Sequence, residues 1–207
     1  MDAASLIAFV AAAALLTITP GLDSALILRT AAVEGRREAA AAGAGILLGC
    51  LVWASAAAVG LGALLAASEA AYTTLKWAGA AYLCWLGVKL ILHPRKAFTP
   101  DAAPDSPAAS GWFVRGLLTN LLNPKVGVFY VSFLPQFIPD GAPVVFWSLA
   151  MGVTHIGLTV LWFALLILAT IPIAGALRRA AVVQWLDRLT GGLFIAFGLK
   201  LALESRR

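Results

Sequence analysis

Long apolar runs separated by short polar interruptions make up almost the whole chain. Runs of about 18 or more apolar residues predict membrane-spanning helices. The first is expected over 5–28, ending at Arg29, with a short basic turn of Glu34, Arg36, Arg37 and Glu38 after it. The second runs uncharged from Ala39 to Ala67 and closes at Ser68-Glu69, and the third covers 74–92. The stretch 93–111 is the one linker, and Pro94, Pro100, Pro104 and Pro107 keep a helix from persisting there. The fourth span is expected over 112–138. Asp140-Gly141 then turns the chain into a fifth over 143–171, and a sixth over 189–203 is short and interrupted by Lys200. This pattern predicts an all-α polytopic membrane protein of about six transmembrane helices. Its parts are a first three-helix repeat (1–92), a Pro-rich cytoplasmic linker (93–111) and a second three-helix repeat (112–207).

Two of the runs contain what a span should exclude. Thr19-Pro20-Gly21-Leu22-Asp23 puts a helix breaker, a glycine and a carboxylate inside the first, and Asn123-Pro124-Lys125 puts a breaker and an ammonium inside the fourth. Proline removes a backbone donor and clashes with the preceding turn, so helices 1 and 4 are expected to break at Pro20 and Pro124. Pro20 lies nine residues before Arg29 and Pro124 nine residues after Arg115. Nine helical residues cover roughly 13 Å, close to half of a hydrocarbon core of about 30 Å, so both breaks fall near the midplane. A shift of 104 positions lays Pro20 on Pro124, and a shift of 111 lays Gly87-Val88-Lys89-Leu90 on Gly198-Leu199-Lys200-Leu201 and Ala80-Ala81 on Gly191-Gly192. Three is an odd number of spans, so a duplicated half enters the membrane inverted, a plan common among secondary transporters.

Composition narrows the classes further. With 61% apolar residues and 12% charged ones, no water-soluble catalytic domain fits between the spans. The net charge of +5 comes from arginines and lysines scattered among loops, which suits basic membrane-flanking segments and not nucleic acid. Counting those charges sets both termini away from the cytoplasm, against which Arg206 and Arg207 argue. Cys50 and Cys84 lie inside apolar runs and read as small packing residues. The glycine-rich second span, with Gly43, Gly45, Gly49, Gly60 and Gly62, suits close helix packing either within the chain or in a homo-oligomer. The N-terminus has no basic residue before Arg29, so the first run is expected to stay as a span and not to be removed as a signal peptide.

The candidate chemistry collects at the breaks. A capping oxygen followed by Pro at the first helical position, as in Thr19-Pro20 and Asn123-Pro124, begins a helix at mid-membrane. Each such start offers free N–H groups and about half a positive charge, an environment for a carboxylate. Asp23 either complements the dipole of its half-helix or holds an ammonium or a proton, and the cost of burying a carboxylate at that depth, roughly 2.5 kcal/mol or more, favours function. Lys125 is unfavourable at a helix N-terminus, so it either pairs with Asp23, snorkels or binds a solute. Thr19 and Asn123 read as caps and Gly21 as backbone freedom at the break, while Asn120 reads equally as a cross-helix hydrogen-bonding group or a site residue. His155 is a packed histidine or a proton relay, and the seven Trp are interface anchors or packing.

Pro20-Gly21-Leu22-Asp23 resembles the first-span Pro-Gly-Pro-Asp motif of the LysE/RhtB family of bacterial amino acid exporters, with Leu22 where many members carry a second Pro. Leu117 to Lys125 followed by Phe133-Leu134-Pro135-Gln136-Phe137 is similar to the family's fourth-span signature, and Trp77 to Gly87 to its third-span run. The resemblance covers the whole chain. It implies a multi-pass protein of the bacterial plasma (inner) membrane that exports an amino acid or related metabolite, driven by the proton gradient. Lysine, threonine, homoserine and leucine are among the solutes of different members. The expected site is Pro20, Gly21, Asp23, Asn120, Asn123, Pro124, Lys125 and His155, serving substrate binding or coupling, with no cofactor and no metal. The expected partners are the solute, protons, membrane lipids and in one reading a second copy of the chain, with no nucleic acid. Two other classes stay open from the residues alone: an intramembrane enzyme using Asp23, Lys125 and His155 on a lipid, and a passive channel.

Overall fold

The computed structural model describes residues 3–67, 69–94, 109–139, 141–170, 173, 176 and 179–203. Most of the linker expected over 93–111, Asp140 of the expected turn, Pro172 and Arg178 beyond the fifth run, and the C-terminal Arg206 and Arg207 lie outside the described residues. Everything regular among the described residues is helical. In chain order α1 is Ala3–Ile18, α2 Leu22–Val33, α3 Arg36–Ala67, α4 Glu69–Leu92, α5 Ala109–Leu121 and α6 Pro124–Val128. A π-helical turn (Phe129–Phe133) and a 3-10 turn (Leu134–Phe137) continue α6, then α7 is Val144–Leu168 and α8 Ala180–Leu203.

By length and composition, α3 over Arg36–Gly60 and α7 can each cross a membrane, as can α1 and α2 taken as one element bent by 50°. Around the expected basic turn, α2 ends at Val33 and α3 already starts at Arg36, so Arg36, Arg37 and Glu38 belong to a helix start. Gly35, at φ +113°, supplies the left-handed residue that ends α2. Near the C-terminus α8 begins well before the expected 189, and Asp187 and Arg188 lie within it and not in a flanking loop.

Inside a bilayer the surroundings are as apolar as the core, so helices associate by close packing and hydrogen bonding. The α3–α5 contact uses small residues for this. A Cβ on Gly45 would strike the Phe113 carbonyl, and one on Gly116 the Ala42 carbonyl, so the two backbones touch. Gly43 lies against Phe163 of α7 and Gly49 against Asn120, which turns this glycine series toward the interior of the chain. A Cβ on Gly60 would meet nothing within 4 Å among the described residues. α4 and α8 pack antiparallel: Gly87 meets the Gly191 carbonyl, and Gly198 meets Ala80 and Cys84. Below the breaks, Phe9 of α1, Phe129, Phe133 and Phe137 of the turns and Phe197 of α8 form one aromatic cluster with ring centroids 4.3–6.2 Å apart. Large apolar side chains that stay exposed, such as Val153, Leu161, Leu165 and Leu168 on α7, suit lipid contact.

Candidate functional site

The chain is interrupted between Ile18 and Leu22 and again between Leu121 and Pro124, and the two interruptions lie side by side. Their ends are finished differently. At the second, the Asn123 backbone is extended (φ −80°, ψ 107°), its side-chain oxygen accepts from the Lys125 N–H at 3.1 Å, and Pro124 takes the first helical position. That arrangement is an N-cap followed by the proline for which the first turn has no N–H requirement. At the first, the cap position falls to Gly21, which brings no side-chain acceptor. The expected capping role of Thr19 is therefore corrected. Its hydroxyl turns back to the Leu15 carbonyl at 2.6 Å and meets the Thr190 hydroxyl of α8 at 2.6 Å. Two residues, Pro20 and Gly21, separate Thr19 from the first residue of α2, too many for it to close that helix start.

Lys125 resolves the end of α1. Its Nζ donates to the carbonyls of Leu16 and Thr19, each at 3.0 Å. Those carbonyls belong to the last turn of a helix whose continuation is cut off at Pro20, where a cation also complements the C-terminal end of the dipole. Gly21 leaves room for this ammonium, since a Cβ there would lie 3.0 Å from Nζ.

Asp23, in the first turn of α2, is held by the opposite half of the chain. Its Oδ2 accepts from Asn120 Nδ2 at 2.8 Å and its Oδ1 from Asn123 Nδ2 at 3.2 Å. Asn120 is fully buried and Asn123 nearly so. Gly49 makes the space for Asn120, because a Cβ there would lie 2.5 Å from its Oδ1. Pro20, Gly21, Asp23, Asn120, Asn123, Pro124 and Lys125 thus gather in one place. His155 stands apart from them, buried on α7, with its Nδ1 2.9 Å from the Tyr130 hydroxyl and its ring against Phe129.

Three polar residues beyond the expected set belong to the neighbourhood. Cys50 does more than pack, since its sulfur accepts from Asn120 Nδ2 at 3.4 Å. Tyr130 joins Cys50 to His155. Ser24 accepts from the indole N–H of Trp162 at 3.1 Å and ties α2 to α7. Of these, Tyr130 carried a readable signal: a phenol six residues beyond Pro124, in an otherwise apolar stretch. Beside the start of α6 a cleft of about 340 Å³ is lined by Trp53, Tyr82, Asn123, Pro124, Gly127 and Ser132 among others.

With this geometry in place, comparison with known proteins gives a consistent result. A family model described as LysE type translocator matches residues 14–205. The chain is similar to the threonine efflux protein of Salmonella typhi, 32% identical over 195 residues that span 90% of this chain and 92% of the relative. It is also similar to the homoserine/homoserine lactone efflux protein of the same organism, 32% identical over 195 residues and 94% of each chain. An uncharacterized membrane protein of Bacillus subtilis (strain 168) is 29% identical over 209 residues, 97% of this chain and 99% of the relative. No solved structure matches the chain.

Proposed function

The chain belongs to the LysE type translocator family, and on that footing we propose that it is a secondary transporter exporting an amino acid or amino acid derivative from the cytoplasm, driven by the proton gradient. Members of this family are membrane transporters and not enzymes, which removes lipid chemistry as a reading of Asp23, Lys125 and His155. The observation that carries the proposal is the meeting of Asp23, Asn120, Asn123 and Lys125 where two helices are interrupted. A carboxylate and an ammonium gathered at one place, the first bonded by side-chain amides and the second by backbone carbonyls, match the two charges of a zwitterion. In this reading the solute's ammonium takes the Asp23 carboxylate from the amides of Asn120 and Asn123. Its carboxylate meets the first amides of α2, which have no side-chain cap, beside Lys125. Asp23 alternates between the ammonium and a proton, which links the two fluxes. The membrane is the bacterial inner one.

The architecture in this proposal is six spans in two inverted halves, 1–92 and 112–207, with α1–α2 and α5–α6 as the broken spans. Two sets of contacts support it. The shift of 111 carries Ala80 to Gly191 and Gly87 to Gly198, so the contact of Gly87 with Gly191 maps onto that of Gly198 with Ala80 with the partners exchanged. A two-fold relation between halves requires this exchange. Likewise α3 against α5 is matched by α7 against α1.

The test is flux in proteoliposomes loaded with a panel of labelled amino acids including threonine and homoserine, with and without an imposed proton gradient. Saturable flux that the gradient accelerates is expected for the wild type, and its loss by about 100-fold or more in Asp23→Asn, with folding and insertion retained. Gradient-coupled flux unchanged in Asp23→Asn removes Asp23 from the mechanism.

A further inference from the structure

His155 makes no hydrogen bond to Asp23, yet a continuous polar chain joins them. Asn120 Nδ2 donates to Asp23 Oδ2 and to Cys50 Sγ, Cys50 neighbours the Tyr130 hydroxyl, and that hydroxyl meets His155 Nδ1. The five groups come from α2, α5, α3, the π-helical turn and α7. Asn120 and Tyr130 are fully buried, with Cys50 and His155 close to it. Burying such groups costs free energy unless each is bonded, and a phenylalanine would fill the place of Tyr130 without that requirement. π-helical turns recur at functional sites, and this one sets Tyr130 between the two ends of the chain.

We propose that Tyr130 and Cys50 are positioning residues that couple the protonation of His155 to the Asp23 site, by reversing the sense of the hydrogen bonds between them. A neutral His155 that accepts at Nδ1 receives the Tyr130 O–H, and the Tyr130 oxygen receives the Cys50 S–H. A second ring proton, placed on Nδ1, leaves the imidazolium with donors only. Tyr130 must then accept from His155 and turn its own hydrogen to Cys50, whose S–H is released toward the Asn120 amide. Asn120 Oδ1 is buried with no hydrogen-bond partner among the described residues, and it is the acceptor that this reversal satisfies. An amide that accepts at its oxygen donates more strongly at its nitrogen, so Asn120 tightens on the Asp23 carboxylate.

The ionisable groups on the elements packed against α7 are few. α2 carries Asp23 and, one to two turns on, Arg29. α3 carries Cys50 and, at its far start, Arg36, Arg37 and Glu38. α1 and the 3-10 turn carry none. Lys125 on α6 adds its field at His155. Two routes to coupling follow: through space among these charges, or through the bonded chain.

The use of this coupling in export rests on the proton-driven reading, but its test needs no solute. The chain has two histidines, His93 and His155, so a 15N-histidine sample in detergent gives two ring signals, assigned by a His93→Gln variant. The titration midpoint of His155 is followed between pH 4 and 9 in four proteins: wild type, Asp23→Asn, Tyr130→Phe and the double variant. Removing the Asp23 charge is expected to move the midpoint by about half a pH unit or more with Tyr130 present, and by less than half as much with Phe there. The same pair of measurements with Cys50→Ala in place of Tyr130→Phe is expected to cut the coupling, and Cys50→Ser to restore it, which covers a Tyr130→Phe that fails to fold. Equal displacements in all backgrounds make the coupling through-space and overturn the proposal, as does a His155 that does not titrate. A protein that shows the coupling but no gradient-driven flux would keep this inference and lose the transport mechanism.

Discussion

The two interruptions share a proline and differ in everything that surrounds it. At Pro124 the new helix is closed by its own Asn123, and the preceding helix ends close by, with the Asn123 N–H bonded to the Asn120 carbonyl. At Pro20 neither end is closed locally: α2 starts from Gly21 without a side-chain acceptor, and the last carbonyls of α1 are met by Lys125, from the other interruption. On the proposed reading of two related halves, the scaffold holds an unequal site. On the shift of 104, Asp23 falls on Gly127 and Asn120 on Leu16, so the acid belongs to one half and the amides and the ammonium to the other. In the proposed binding mode two identical half-sites would offer a solute two like charges, whereas this inequality would offer one of each sign.

The largest effect is expected where one side chain serves both interruptions. Lys125→Met removes a charged donor from two carbonyls at the end of α1, where bonds to charged groups are worth about 1.5–3 kcal/mol each. Flux in proteoliposomes is expected to disappear, and the detergent-solubilised protein to unfold at clearly lower temperature. Full stability in Lys125→Met would mean that α1 needs no help from the second interruption, and the contrast between the two breaks would collapse. Asn123 comes next. Asn123→Ala loses the cap of α6, about 1 kcal/mol, together with the bond to Asp23. Asn123→Ser keeps a capping hydroxyl and loses the reach to Asp23, so it is expected to restore stability and not flux. Recovery of both by Ser would assign Asn123 to the cap alone. Gly21→Ala is milder, because its extended backbone (φ −156°) accepts any residue and the cost is confined to the Cβ 3.0 Å from the mobile end of Lys125. A severalfold fall in flux at little change in unfolding temperature is expected, and a normal flux would show that Lys125 can shift without consequence.

The sequence carried the scaffold more readily than the site. The prolines and the charges beside them stand out against apolar runs, because a breaker or an ion at mid-membrane has no cheap structural use, and the residues gathered around Asp23 follow from that. The identity of the cap at the first break did not follow: Thr19-Pro20 and Asn123-Pro124 look alike, but only the three-dimensional path shows α2 starting two residues after its proline. The partner of Lys125 was equally hidden, since carbonyls are present at every residue and only a broken helix exposes those of Leu16 and Thr19. Cys50 resembles any small packing residue until Gly49 is seen to admit Asn120 beside it. The start of α8 shows the opposite limit. The apolar run marks a span only from 189, yet the helix begins at Ala180 and continues through the buried Asp187 and through Arg188.

Thr19 offers the smallest and finest probe of the same contrast. Freed from capping, its hydroxyl lies 2.6 Å from that of Thr190, which ties the end of α1 to α8 with both residues buried. Hydrogen bonds between transmembrane helices average only about 0.6 kcal/mol, with a ceiling near 1.7, so Thr190→Val is expected to lower the unfolding temperature by a degree or two. Thr19→Val removes the same bond and also the one to the Leu15 carbonyl, which α1 makes within itself. If the cross-helix bond is what Thr19 supplies, the double variant falls no further than Thr19→Val alone, and flux at saturating solute is unchanged in all three. If instead Thr19 closes α2 as Asn123 closes α6, Thr19→Val costs about 1 kcal/mol more than Thr190→Val and Thr19→Asn is tolerated. Thermal unfolding of the four proteins, read to within half a degree, distinguishes a first break whose helix start is left open from a second one closed by its own side chain.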